Sequence, residues 1–202
     1  MSDAVLYLSL ATAISSSYVA LLYAFDFDGV DRNDPRSVKR RFLGAAVNNI
    51  ISITCTYTVL SKNHDSPFLL MGMHSRGIHL ACLLPTVLTC ICYLGTWVLA
   101  YVDGNLSYWL SMSDWKQRAN NIIWIRDALM APITEELAFR ACASALVLQC
   151  LSSTATVFVA PLPFALSHLH HIFDDMRRGY TQCEAISRRG NLIFFLHFTA
   201  CT

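Results

Sequence analysis

The chain has 202 residues, 54% of them hydrophobic and 14% charged, where soluble domains run at about 45–50% and about 25%. A mean hydropathy of +0.42 makes a lipid bilayer, not water, the solvent against which the core must be read. Fifteen basic against fourteen acidic residues leave a net charge of +1, which excludes nucleic-acid binding driven by a concentrated basic field.

A membrane-spanning helix needs about 20 apolar residues. Ala4–Phe25, Phe42–Ser61 and Gly77–Val102 contain no Asp, Glu, Lys or Arg and are expected to span. The first lacks a basic flank and exceeds a usual signal-peptide core, so it reads as an uncleaved anchor despite Ala11-Thr12-Ala13. Ser66–Ser75 is apolar but short and reads as an interfacial or re-entrant piece, as does Asn191–Thr202. Trp97, Trp109, Trp115 and Trp124 gather around the segment after the third span, where an aromatic interface belt accounts for them.

A fourth uncharged stretch, Ala141–Phe173, would run about 50 Å as one straight helix, too long for a hydrocarbon core of about 30 Å. It is expected to break at Leu151-Ser152-Ser153-Thr154, whose hydroxyls can cap a new helix, and to kink at Pro161 and Pro163. The fold class expected is therefore all-α, a multi-pass transmembrane helical bundle. The cysteines lie mostly in apolar stretches without disulfide-framework spacing and read as small core hydrophobes.

Basic residues set the orientation. Arg32, Arg36, Lys39, Arg40 and Arg41 follow the first span, Lys62 and Arg76 the second, and Lys116, Arg118 and Arg126 the third. The positive-inside rule puts the first and third loops in the cytoplasm and the amino terminus across the membrane.

Two polar clusters interrupt this apolar chain. In Ala131-Pro132-Ile133-Thr134-Glu135-Glu136-Leu137-Ala138-Phe139-Arg140, Pro132 and Thr134 fit a helix start, and Glu136 and Arg140 at i,i+4 can pair on one face. Glu135, about 100° around the helix, can point into a cavity instead. Read alone, the cluster is more simply a cap and a surface ion pair at the membrane boundary than a site. The second cluster, Phe164-Ala165-Leu166-Ser167-His168-Leu169-His170-His171, ends the kinked segment, with His168 and His171 about 60° apart on one face. Histidines there can serve the helix dipole or a site. Together the clusters offer a carboxylate and an imidazole that can share one water for attack on an amide. The depth at which they meet depends on the Ser152–Thr154 break and the proline kink.

The pairing of Glu135-Glu136-x-x-x-Arg140 with Phe164-x-x-x-His168 resembles the CAAX protease and bacteriocin-processing family. The longer wording around both motifs is similar to its eukaryotic CAAX prenyl endopeptidases, over residues 1–181. The resemblance implies a multi-pass endoplasmic reticulum enzyme, its site open to the cytosol, that removes the last three residues of prenylated CAAX proteins such as Ras-like GTPases. It implies Glu135 and His168 as the catalytic pair, with Glu136, Arg140, Phe164 and His171 supporting the site, and no metal or other cofactor. The family also carries a His-x-x-x-Asn oxyanion motif on a later helix; here His197 is followed by Cys201 in that spacing. Residues 182–202 accordingly read as a divergent tail after an incomplete protease-like domain of residues 1–181. The alternative reading is a non-catalytic membrane protein with a regulatory or interaction role.

Overall fold

The computed structural model describes residues 2–28 and 31–168, with the isolated positions 176, 179, 181, 182 and 184. It is all-helical among these residues. The first expected span is α1 (Ser2–Phe25) and the second lies within α2 (Pro35–Leu60); both are long and apolar enough to cross a membrane. Helix α2 begins a full two turns before its apolar stretch. Asp34 caps it, accepting from the Ser37 amide at 3.3 Å, and Pro35 occupies the first turn.

After α3 (Pro67–Leu70), the third expected span divides into α4 (Ile78–Cys92) and α5 (Leu94–Val102), bent by 53°. The break falls at Tyr93 with Gly95 just beyond it, a residue that holds helical geometry weakly. The pair can serve as one broken span. Short helices α6 (Leu106–Trp109) and α7 (Met112–Ala119) follow. Here the tryptophans do gather, with Trp97 against Trp109 at 5.6 Å and Trp115 against Trp124 at 6.1 Å between ring centroids.

Helix α8 is one continuous run over residues 122–147. Its α-helical turns alternate with two π-helical stretches, Arg126–Met130 and Glu136–Ser144. This corrects the expected helix start at Pro132. The true start is Ile122, capped by the Asn121 side chain, which accepts from the Ile123 amide at 2.9 Å. Pro132 lies inside the helix because the preceding turn widens: the Ala131 amide bonds back to the Arg126 carbonyl, five residues away. An α-helical register would press the proline ring onto the carbonyl of residue 128.

The expected break near Ser152 is present. Helix α8 ends at Val147, and Ser152 caps α9 (Ser153–Val159) through the Ala155 amide at 3.3 Å. Helix α10 (Pro161–Ser167) continues from it across a turn at Ala160.

The core joins α1, α2 and α8. Tyr7, Ala11, Ile14 and Tyr18 recur at helical spacing on α1 and pack with Ala45 and Leu60 of α2 and with Ala138, Phe139, Cys142 and Leu146 of α8. Helices α1 and α2 approach so closely at Gly44 that a Cβ there would lie 2.8 Å from the Leu21 carbonyl oxygen. Buried polar groups add interhelical contacts, as where Ser17 donates to Asn48 Oδ1 at 2.8 Å. The reading of the cysteines as core residues holds for Cys142. Cys82, Cys90 and Cys92 are exposed on α4, which buries none of its residues, while Cys183 and Cys201 lie outside the described residues.

Candidate active site

Helix α8 and the α9–α10 segment form an antiparallel hairpin whose register is symmetric about Ser152. Ser144 and Ala160 line one cavity together, Phe139 and Phe164 meet at 5.0 Å between ring centroids, and Glu135 and His168 line another cavity. The two members of each pair lie within one residue of the same distance from Ser152. The Glu135 turn in the middle of α8 and the end of α10 therefore lie at a common depth, which answers the question left open by the sequence.

The residues before Glu135 fix its backbone. Thr134 Oγ1 lies 2.7 Å from the Met130 carbonyl and 3.1 Å from that of Ala131, so its single proton is committed to its own helix. The Tyr18 hydroxyl, 2.9 Å from Thr134 Oγ1, is then the donor to it, and α1 is tied to α8 one residue from Glu135. Glu135 itself is half-buried and makes no hydrogen bond or ion pair among the described residues.

His168 is also half-buried. Its Nδ1 lies 2.9 Å from the Phe164 carbonyl, and a carbonyl only accepts, so Nδ1 carries the hydrogen. That fixes the tautomer and leaves Nε2 as the ring atom able to take a proton. The ring also lies edge-on to Phe164 at 4.6 Å, completing an aromatic series from Tyr18 through Phe139 and Phe164.

Glu135 forms part of the walls of two cavities. The first, of about 120 Å³, is bounded by Tyr18 and Leu22 of α1, Arg41 and Ala45 of α2, Arg32, Arg126, Asp127 and His168. Charged side chains border it, though apolar ones such as Leu22, Phe42 and Met130 make up much of its wall, and it is large enough for several waters, each of which fills about 30 Å³ in the liquid. The second, of about 170 Å³, is bounded by Glu136, Arg140, Phe139, Phe164, Pro132 and Pro161. There Arg140 Nε pairs with Glu136 at 3.3 Å, both side chains 55% exposed, as the i,i+4 spacing led one to expect. His171 and His197 lie outside the described residues. Among the described residues no three His, Cys, Asp or Glu side chains converge to hold a metal ion.

Sequence reasoning passed over Tyr18, Arg41 and Arg126. Tyr18 was one aromatic in an apolar span, and the arginines counted only as topology charges. Arg126 holds a loop in place: Nη1 donates to the Arg32 carbonyl at 2.8 Å and to Asn33, Nη2 to Asn33 and Asp127, and Nε to Asp127. Arg41 donates from Nε to Asp26 at 2.7 Å, lies over the Tyr23 ring, and turns to the first cavity.

Residues 117–201 match the family model described as "Type II CAAX prenyl endopeptidase Rce1-like". The chain is 44% identical over 174 residues to the CAAX prenyl protease 2 of Caenorhabditis elegans, covering 86% of this chain and 65% of that protein. It is 32% identical over 175 residues to the human CAAX prenyl protease 2, covering 82% and 53% respectively. The probable CAAX prenyl protease 2 of Schizosaccharomyces pombe is 27% identical over 171 residues, covering 78% and 56%. The chain thus spans between about half and just under two thirds of these relatives' lengths. No solved structure matches it significantly.

Proposed function

The chain belongs to the Rce1-like family of type II CAAX prenyl endopeptidases, and from that premise we propose that it removes the carboxyl-terminal tripeptide of prenylated CAAX proteins, Ras-like GTPases among them, at the endoplasmic reticulum membrane. The observation that carries the reading is that Glu135 and His168 both line one cavity, together with Arg32, Arg41 and Arg126. A water held between them is polarised by both, and Glu135 accepts its proton. The hydroxide adds to the carbonyl carbon of the prenylated cysteine. The peptide C–N bond then breaks, and the proton returns to the departing amine. One product is a peptide ending in a prenylcysteine carboxylate; the other is a free tripeptide.

Further residues assist in this reading. Nδ1 of His168 is held by the Phe164 carbonyl, which aims Nε2 and makes Phe164 a positioning residue. Glu136 and Arg140 pair on the neighbouring face. His171 is proposed as a supporting group from the family motif alone. The proposed protease-like unit is residues 1–181 with 182–202 as its tail, although the family match itself runs on to residue 201.

Microsomes carrying the chain, given a farnesylated CAAX peptide, test the proposal. Cleavage is expected, and Glu135→Gln is expected to lower it by at least about 10²-fold, since the variant keeps the shape and loses the base. Cleavage that survives Glu135→Gln overturns the mechanism. A chain that shows no cleavage supports instead a membrane protein that keeps these helices in an interaction role.

A further inference from the structure

We propose that Arg41 is the carboxylate receptor of this site: its guanidinium binds the free α-carboxylate at the end of the tripeptide and so selects substrates that stop there. The inference rests on the endopeptidase reading and adds to it a specificity-determining residue on α2, which neither sequence motif contains.

Three observations carry it. Arg41 and Glu135 belong to the walls of the same cavity, so an anion held by one lies in the chamber served by the other. Arg41 is fixed before any substrate arrives: Nε donates to Asp26 Oδ2 at 2.7 Å, and the guanidinium carbon stands 5.4 Å from the centre of the Tyr23 ring. Asp26 is itself buried, accepts also from the Ser37 hydroxyl, and has its second oxygen buried without a partner among the described residues. Its position is set by the fold, and it takes only one of the five guanidinium donors. The Nη groups make no other bond among the described residues, in contrast to Arg126, whose donors are taken up by Arg32, Asn33 and Asp127. A guanidinium held at Nε presents its Nη edge as a fork that matches a carboxylate. A tripeptide spans about 10 Å when extended, so its end reaches well away from the scissile bond toward another wall of the chamber.

The test measures binding, so it does not depend on turnover. The full chain carrying Glu135→Gln, solubilised in detergent, is titrated with a fluorescent S-farnesylated CAAX tetrapeptide as its free acid and as its carboxamide. The acid is expected to bind about tenfold tighter or better, the scale of a charge-assisted pair. Adding Arg41→Gln is expected to remove that preference while leaving the carboxamide affinity unchanged. Because Arg41→Gln leaves Asp26 without its cation, Asp26→Asn with Arg41→Gln is measured beside it, and the two are expected to agree. Equal binding of acid and amide to the Glu135→Gln chain, or a preference that survives both Arg41 variants, overturns the proposal and leaves the endopeptidase reading standing. Loss of both peptides alike in both variants makes Arg41 structural and overturns it too. Failure of the Glu135→Gln chain to bind either peptide removes the endopeptidase reading itself.

Discussion

Glu135 and Glu136 are neighbours in the chain with the same side chain and opposite circumstances. Glu136 meets Arg140 in an ion pair exposed at both ends, a contact worth about 0–1 kcal/mol. Glu135 makes no ion pair among the described residues and lines a cavity with His168. Residue types and spacing made this division legible, because a step of one residue turns a side chain through about 100°. Tyr18 was not legible, since nothing local marks an aromatic of α1 as the partner of a threonine 116 positions later. The ring packs on Phe139 at 5.4 Å, so a phenylalanine there would lose only the hydroxyl bond. Tyr18→Phe is expected to cost about 0.6 kcal/mol, the average for a hydrogen bond between membrane helices, measured as a small fall in the unfolding midpoint in detergent. Cleavage is expected to stay within threefold of the unaltered chain. A loss of more than tenfold without a stability change would give the hydroxyl a part in the chemistry and contradict its assignment as a brace.

At the scale of elements, the apolar stretches located α1 and α2 because a helix that must satisfy its own backbone in lipid leaves a long uncharged run. The same pattern cannot report what happens within a run. The 53° bend at Tyr93 and the two π-helical stretches of α8 change hydrogen-bond register without changing hydropathy. Pro132 was legible as a disturbance and was misread as a start, because the wide turn that accommodates it has no compositional mark. The contact of α1 with α2 was equally silent, although it turns on one absent side chain. At Gly44→Ala the new Cβ would stand 2.8 Å from a backbone oxygen of Leu21, and backbone cannot rotate aside as a side chain can. The helices have to separate, at a cost of about 1–3 kcal/mol. Thermal unfolding in detergent is expected to show that loss, and a larger one for Gly44→Val. Cleavage is expected to fall as well, since Arg41 and Ala45 lie within one turn of Gly44 and line the cavity. An alanine variant as stable as the parent would mean that the crossing is looser than the structure has it.

Across the whole molecule, both ends of the bundle are tied by polar bonds, and the two sets differ in charge. At one end Asn63 donates to the Tyr7 hydroxyl at 3.0 Å and His64 meets Gln149 at 2.9 Å. At the other, Asp26 holds Arg41, and Arg126 holds the loop at Arg32 and Asn33. Charged bonds thus sit at the end with the five basic residues after the first span, and near-neutral ones at the end with Lys62. The cavity shared by Glu135 and His168 opens among Arg32, Arg41 and Arg126, at the charged end. If that end faces the cytosol, as the loop charges lead one to expect, the cavity meets the proposed prenylated substrates on the side where they are presented. Asparagine-linked glycosylation occurs only on the far side of the membrane and reads the orientation directly. An acceptor sequence inserted after Asn63 is expected to gain a glycan in intact microsomes, and one inserted after Asn33 is expected to remain bare. The reverse pattern would turn the cavity toward the lumen, where a cytosolic carboxyl terminus cannot reach Glu135, and the proposed substrate class would have to be abandoned even though every side chain in the site stayed where it is.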